Sequence, residues 1–192
     1  MIEVFNIKKG LFFGILNLKD FALAKKLQNK REIETQGKLF LLNHLIDDAC
    51  EIWYDEKGKP HLAGDNRHIS LTHSHDKLAI IVNDGESTGI DIELVRNKIL
   101  NIKHKFLSDI ELADADDDIE KLMLYWAAKE TLYKIYGLKE VDFIKNLFVN
   151  PFTKHNLGTI IGHIRLNNFD ASFELNYQFI DNYALVYALN KL

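Results

Sequence analysis

Gly89-Ile90-Asp91-Ile92-Glu93 and Trp126-Ala127-Ala128-Lys129-Glu130-Thr131-Leu132-Tyr133-Lys134 carry the most informative local patterns in the chain. In an extended strand successive side chains alternate, so Asp91 and Glu93 share one face while Ile90 and Ile92 share the other. The second stretch lies in the clearest helix of the chain, residues 119–136. There Leu122, Tyr125, Trp126, Lys129, Leu132 and Tyr133 recur at spacings of three and four, and Gly137 supplies a C-terminal stop. An amphipathic strand and a long helix, set among further strands, make an α+β chain.

Outward from these stretches, strands are expected over 3–7 and 11–17. A helix follows over 33–49, with Leu39, Leu42, Leu45 and Ile46 at helical spacing. A strand over 51–54 ends in the turn 55–60, and three more follow at 68–72, 77–83 and 88–93. Asn83-Asp84-Gly85 is a hairpin signal between the last two. Residues 99–106 form a basic, amphipathic stretch. Beyond the long helix, strands resume at 147–150, 159–166, 172–178 and 183–189. Residues 75–82 resemble residues 181–188: in each, a polar turn opens an apolar strand that contains Ala. This echo points to two related α/β halves, 1–94 and 95–192, joined as one unit along a seam that suits a binding site.

Composition narrows the classes. The 192 residues are 47% hydrophobic and carry a net charge of -4, with basic residues spread along the chain, which argues against a general nucleic-acid binder. No apolar run approaches the length of a membrane span, and no small-residue cleavage site follows Lys8-Lys9 and the apolar run 11–16. The single cysteine, Cys50, fits a reducing compartment, so the reading is cytoplasmic. The acidic run of Asp114, Asp116, Asp117, Asp118 and Glu120 reads as a solvated loop leading into the acid-rich start of a helix.

Three constellations carry chemistry. Asp91 and Glu93 on one strand face repel unless water, a base or a cation lies between them. A hard divalent ion with oxygen ligands answers that repulsion, and so does plain solvent on the polar face of an ordinary amphipathic strand. In the helix, Trp126, Glu130 and Lys134 share one face at intervals of four, with Lys129 about 100° round from Glu130. A glutamate flanked by lysines can be a third metal ligand beside phosphate-binding ammonium groups, or a surface ion pair worth about 0.3–0.5 kcal/mol. Leu71-Thr72-His73-Ser74-His75 places two histidines on one strand face. With one cysteine and no spaced ligand set, zinc is disfavoured, and an anion-binding turn or a hydrogen-bonded loop remains. Neither a Walker loop nor a dinucleotide fingerprint is present.

Taken in order, these segments resemble the 4'-phosphopantetheinyl transferase superfamily, nearest to its two-half, surfactin-synthetase-activating type. Gly58-Lys59-Pro60 is similar to the family's Gly-[Lys/Arg]-Pro turn. Ile69-Ser70-Leu71-Thr72-His73-Ser74 is similar to its Ser-His-Ser strand end, with Thr72 in place of the first serine. Gly89 through Glu93 matches its metal motif, Phe106-Leu107-Ser108-Asp109-Ile110-Glu111 its Phe-x-Ser-x-x-Glu segment, and Trp126 through Lys134 its Trp-x-x-Lys-Glu-x-x-x-Lys helix. The resemblance implies two pseudo-symmetric α/β halves with coenzyme A in the cleft between them and Mg2+ on its pyrophosphate. It implies Asp91, Glu93 and Glu130 as metal ligands, and Lys129 and Lys134 at phosphates. His73 would approach the 3'-phosphate, Lys59 would border the nucleotide, and Ser74 would be a further contact. The implied activity is transfer of 4'-phosphopantetheine from coenzyme A to a serine of an acyl or peptidyl carrier protein, releasing adenosine 3',5'-bisphosphate. Glu130 and Glu111 are both candidates for the base, and Lys134 joins them as a catalytic candidate. Lys98, Lys103 and Lys105 are expected to dock the acidic carrier, and fused halves favour a monomer. Two other readings stand beside this one: a metal-dependent phosphodiesterase or nuclease, and a non-catalytic relative acting as an interaction module.

Overall fold

Helix starts in this chain are written in its caps. In the computed structural model, which describes residues 2–46, 50–138 and 140–192, Asn17, Asn29 and Asp118 each accept a backbone N–H three residues on, at 2.9, 3.1 and 3.1 Å. Ser108 and Glu111 form a reciprocal capping box. Strands β1 (Ile2–Lys8) and β2 (Leu11–Asn17) lead into helices α1 (Leu18–Lys25) and α2 (Lys30–Leu45). Strands β3 (Ile52–Tyr54), β4 (Pro60–Leu62), β5 (His68–Ser74), β6 (Lys77–Asn83) and β7 (Ile90–Leu94) follow. Two short 3₁₀ turns, Asn97–Asn101 and Lys103–Lys105, precede α3 (Asp109–Ala115) and α4 (Ile119–Tyr136). The chain finishes with β8 (Leu147–Val149), β9 (Leu157–Leu166), β10 (Phe169–Ile180) and β11 (Tyr183–Lys191).

The fold is mixed α/β with two antiparallel sheets. The chain divides into two compact units, Met1–Thr88 and Gly89–Leu192; the expected division lay at 94/95. Pairing of β7 with β11 draws the whole Asp91–Glu93 strand into the second unit. The first sheet runs β1-β2-β6-β5-β4-β3 and the second β7-β11-β10-β9-β8. Each unit follows the same path: one strand, then helices, then a four-strand meander whose last strand returns beside the first. In the first unit the path is β2, α1–α2, β3–β6, with β1 added as an edge strand beside β2, and in the second it is β7, α3–α4, β8–β11. The sequence echo falls on the equivalent strands β6 and β11. Both are entered through a two-residue turn whose first residue, His75 or Asp181, has a left-handed φ of 56° or 53°. Register extends the equivalence: Gly14 pairs with Ile80 and Leu16 with Leu78, where Asp91 pairs with Val186 and Glu93 with Ala184.

Three local expectations change. Helix α2 begins at Lys30, behind the Asn29 cap, and residues 47–49 of the expected helix lie outside the described residues. Residues 60–62 are a strand rather than the end of a turn, pairing with β3. Asn83-Asp84-Gly85 makes a tight turn, its Asn83 Oδ1 accepting from the N–H groups of Gly85 and Glu86 at 2.9 and 3.3 Å. No hairpin follows it, because both edges of β6 are already taken by β2 and β5.

In the second unit α4 buries Leu122, Ala127, Ala128, Leu132 and Ile135 in one cluster with Ile160, Ile164, Leu175 and Val186 of the sheet. Residue 89, just before β7, meets this helix backbone: a Cβ there would stand 2.4 Å from the Thr131 carbonyl oxygen and 3.0 Å from Ile135 Cγ1. Only glycine fits without moving the helix. Gly89→Ala is therefore expected to cost about 1–3 kcal/mol, as overpacking does. Urea unfolding checks this; an unchanged midpoint would mean that α4 does not depend on this contact.

Candidate active site

The stripe of α4 that carries Trp126, Glu130 and Lys134 faces the polar side of β7. At one end the Trp126 indole N–H donates to Glu93 Oε1 at 3.2 Å. At the other, Lys134 Nζ donates to Asp91 Oδ1 at 2.7 Å and to the Ile90 carbonyl at 2.9 Å. Glu130 lies between them on the stripe. Burial, and after it the charge of Asp91, push the Glu130 carboxyl up to about 7; Glu93 adds to the rise and Lys134 partly offsets it. The geometry thus brings the three predicted carboxylates and Lys134 together on two adjacent elements.

Trp126 is half-buried: it packs against the apolar cluster of the second unit and also reaches this site. Its ring meets Phe106 edge-on at 5.0 Å and stacks on Phe143 at 5.8 Å. These three aromatics, with Ile102, Val141 and Ile144, line a groove of about 750 Å3 that reaches Glu130.

Two of the expected residues, Lys129 and Glu111, lie inside the protein and bond to each other. Lys129 is fully buried. Its ammonium donates to the Phe106 carbonyl at 2.7 Å, to Glu111 Oε2 at 2.8 Å and to the Phe143 carbonyl at 2.8 Å, so all three hydrogens are spent inside the protein and none is left for a phosphate. Burial lowers its pKa, and Glu111 opposes the fall. Glu111 is equally committed: Oε2 also accepts from Ser108 N and Oγ, and Oε1 accepts from Val149 N at 2.9 Å. With four donors on its two oxygens, this buried carboxylate is engaged inside the protein rather than presented to a substrate.

In the first unit, Lys59 Nζ lies 2.7 Å from Ser87 Oγ, and burial lowers its pKa. His73, an exposed residue of β5, stands 3.4 Å from Glu34 Oε1 of α2; Ser74 is buried at the end of that strand. Of the basic stretch, Lys103 is tied to Asp117, while Lys98 and Lys105 are exposed. The acidic run is partly structural: Asp118 caps α4, and Asp114 accepts from the Tyr125 hydroxyl at 2.6 Å and pairs with Lys121 at 2.9 Å.

Among the described residues no three His, Cys, Asp or Glu side chains converge as a ready-made metal centre. The donor chemistry nonetheless suits a hard cation: oxygen ligands only, mutually repelling, in a partly desolvated setting. Magnesium needs few protein ligands where phosphates and water complete its shell.

A family model of the 4'-phosphopantetheinyl transferase superfamily matches residues 87–188, a segment that contains β7, α4 and the whole carboxylate group. The chain belongs to the 4'-phosphopantetheinyl transferase superfamily. It is similar to the 4'-phosphopantetheinyl transferase AcpT of Escherichia coli K12, with 28% identity over 107 residues that cover 50% of this chain and 54% of that protein. It is also similar to AcpT of Salmonella typhimurium, with 25% identity over 130 residues covering 62% and 67%. The chain thus spans about half the length of the E. coli relatives that it matches. Among the described residues no helix is long and apolar enough to cross a membrane.

The Glu130 shift has a definite sign. Its folded pKa lies above the ordinary 4.5, so the folded state holds this proton more tightly than the unfolded chain. The group therefore costs nothing below pH 4.5 and destabilises progressively from 4.5 to about 7, by about 3 kcal/mol at most. Glu130→Gln removes that cost. With chelator present, the variant is expected to melt above the wild type at pH 8 and level with it at pH 4.5, read by thermal unfolding at both values. Equal melting points at pH 8 would show that Glu130 is not held among like charges.

Proposed function

We propose that this chain transfers the 4'-phosphopantetheine arm of coenzyme A to a serine of an acyl or peptidyl carrier protein. The observation that carries the reading is the facing of Glu130 and Lys134 on α4 with Asp91 and Glu93 on β7, inside the segment that matches the family. Asp91, Glu93 and Glu130 would hold Mg2+, which when bound neutralises charge on the pyrophosphate of coenzyme A.

The carrier serine Oγ attacks the phosphorus that bears the pantetheine arm, the bond to the adenosine bisphosphate breaks, and adenosine 3',5'-bisphosphate departs. Lys134, the cation at Asp91, offsets negative charge growing on the transferred and leaving oxygens. The serine proton passes to a carboxylate. Glu130 is placed for that role on the stripe of α4 that faces β7 beside Lys134, whereas Glu111 is occupied by Lys129, Ser108 and Val149. Lys59, His73 and Ser74 of the first unit are proposed as contacts for the nucleotide portion, in keeping with their places in the family's turn and strand-end motifs. The exposed Lys98 and Lys105 are the remaining candidates to attract an acidic carrier.

Incubation with coenzyme A, Mg2+ and an apo carrier protein is expected to add one phosphopantetheine to the carrier's mass. Asp91→Ala and Glu130→Ala are each expected to slow turnover on the order of 100-fold or more with an unchanged circular dichroism spectrum. Near wild-type turnover in either variant would exclude the carboxylate site. Phosphodiester cleavage with no mass gain would turn the reading to a hydrolase.

A further inference from the structure

We infer that Lys129 and Glu111 are positioning residues: buried together, they hold the two aromatic walls that fix Trp126, and through Trp126 the carboxylate of Glu93. The kinetic part of this inference rests on the transferase reading, and the geometry stands apart from it. Lys129 Nζ binds the main-chain carbonyls of Phe106 and Phe143 at 2.7 and 2.8 Å. Those two residues come from segments far apart in sequence, one after the 3₁₀ turns and one in the loop before β8. Their rings meet Trp126 at 5.0 and 5.8 Å, one at its edge and the other on its face. The indole so held directs its N–H at Glu93 Oε1, 3.2 Å away.

Glu111 sets the ammonium in place. Its Oε2 accepts from Lys129 while also bonding the N-cap of α3, and its Oε1 accepts from Val149 at the end of β8. Removal of the Lys129 charge frees two carbonyls, hence both walls of the groove beside Glu130 and the clamp on Trp126. Because Lys129 and Glu130 are adjacent, the same turn of α4 carries the clamp on its inner side and a reacting carboxylate on its open side.

A buried pair also matters for stability, so the test must separate the two roles. Lys129→Met leaves Glu111 charged and unpaired in the interior, whereas Lys129→Met/Glu111→Gln removes both charges and with them that penalty. All variants are made in Trp53→Phe, which leaves Trp126 as the one tryptophan of the chain. The double variant is expected to recover most of the melting temperature lost in the single one. At a temperature where it is fully folded, its Trp126 emission should be red-shifted and more readily quenched by acrylamide than in the Trp53→Phe parent. Its kcat should be at least tenfold below the parent, with the KM for coenzyme A within about twofold. A structural role alone predicts that kcat returns with the melting temperature; that result, or unchanged Trp126 emission and quenching in the folded double variant, overturns the inference. The fluorescence readings decide the clamp even if the Trp53→Phe parent and wild type show no transfer, an outcome that would defeat the transferase reading instead.

Discussion

At residue 89 the backbone of α4 comes so near the chain entering β7 that no side chain fits between them. That approach sets the helix at a height where the arms of Trp126 and Lys134 end on Glu93 and Asp91, neighbours but one along the strand. A helix held off by one methyl group would lift the stripe and weaken both contacts together. Interior packing tolerates such displacement poorly, because side chains in a close-packed core lock into discrete arrangements. The glycine that opens the carboxylate motif is therefore a requirement of geometry, and the acids that follow it are placed by it.

The second unit opposes a costly site with a costly but well-satisfied interior. Gathering three carboxylates beside Lys134 works against folding, as the elevated proton affinity of Glu130 records. Beneath them, a lysine and a glutamate are removed from water, which is tolerable only because every polar hydrogen and oxygen involved has a partner. The apolar cluster of α4 with the sheet supplies the favourable term common to both.

Much of this was legible in the sequence, for identifiable reasons. Strand alternation at Asp91 and Glu93 and the long period of 119–136 are strong local signals, and both elements stand where expected. The common face of Trp126, Glu130 and Lys134 was readable from spacing alone. Missed elements were short or weakly periodic: α1 has eight residues, α3 seven, and β4 three. The capping pattern Ser108-x-x-Glu111 was present for α3, but its reading as a family segment hid its structural meaning. The fates of Lys129 and Lys134 differ for a reason no spacing reveals. Both lie on one helix within five residues, and only the positions of Phe106, Phe143 and Glu111 make the first an interior donor. Strand pairing was likewise beyond reach at Asn83, where a sound turn leads out of its sheet rather than back into it.

The repeated path of strand, helices and meander gives the chain two versions of the same structural address. Where the second version carries Asp91 and Glu93, the first carries Gly14 and Leu16. A Cβ on Gly14 would stand 3.0 Å from the side chains of Leu41 and Leu45 on α2, and Leu16 is almost wholly buried in the first unit's core. Hydrocarbon thus fills in one copy what charge occupies in the other. Doubling a fold in this manner lets its copies diverge in purpose, the oily one free to be selected for sturdiness and the charged one for chemistry. Transplanting the acid pair into the first copy would meet a helix already seated against that strand, so the asymmetry is fixed by how each helix rests on its sheet as firmly as by the identity of the residues.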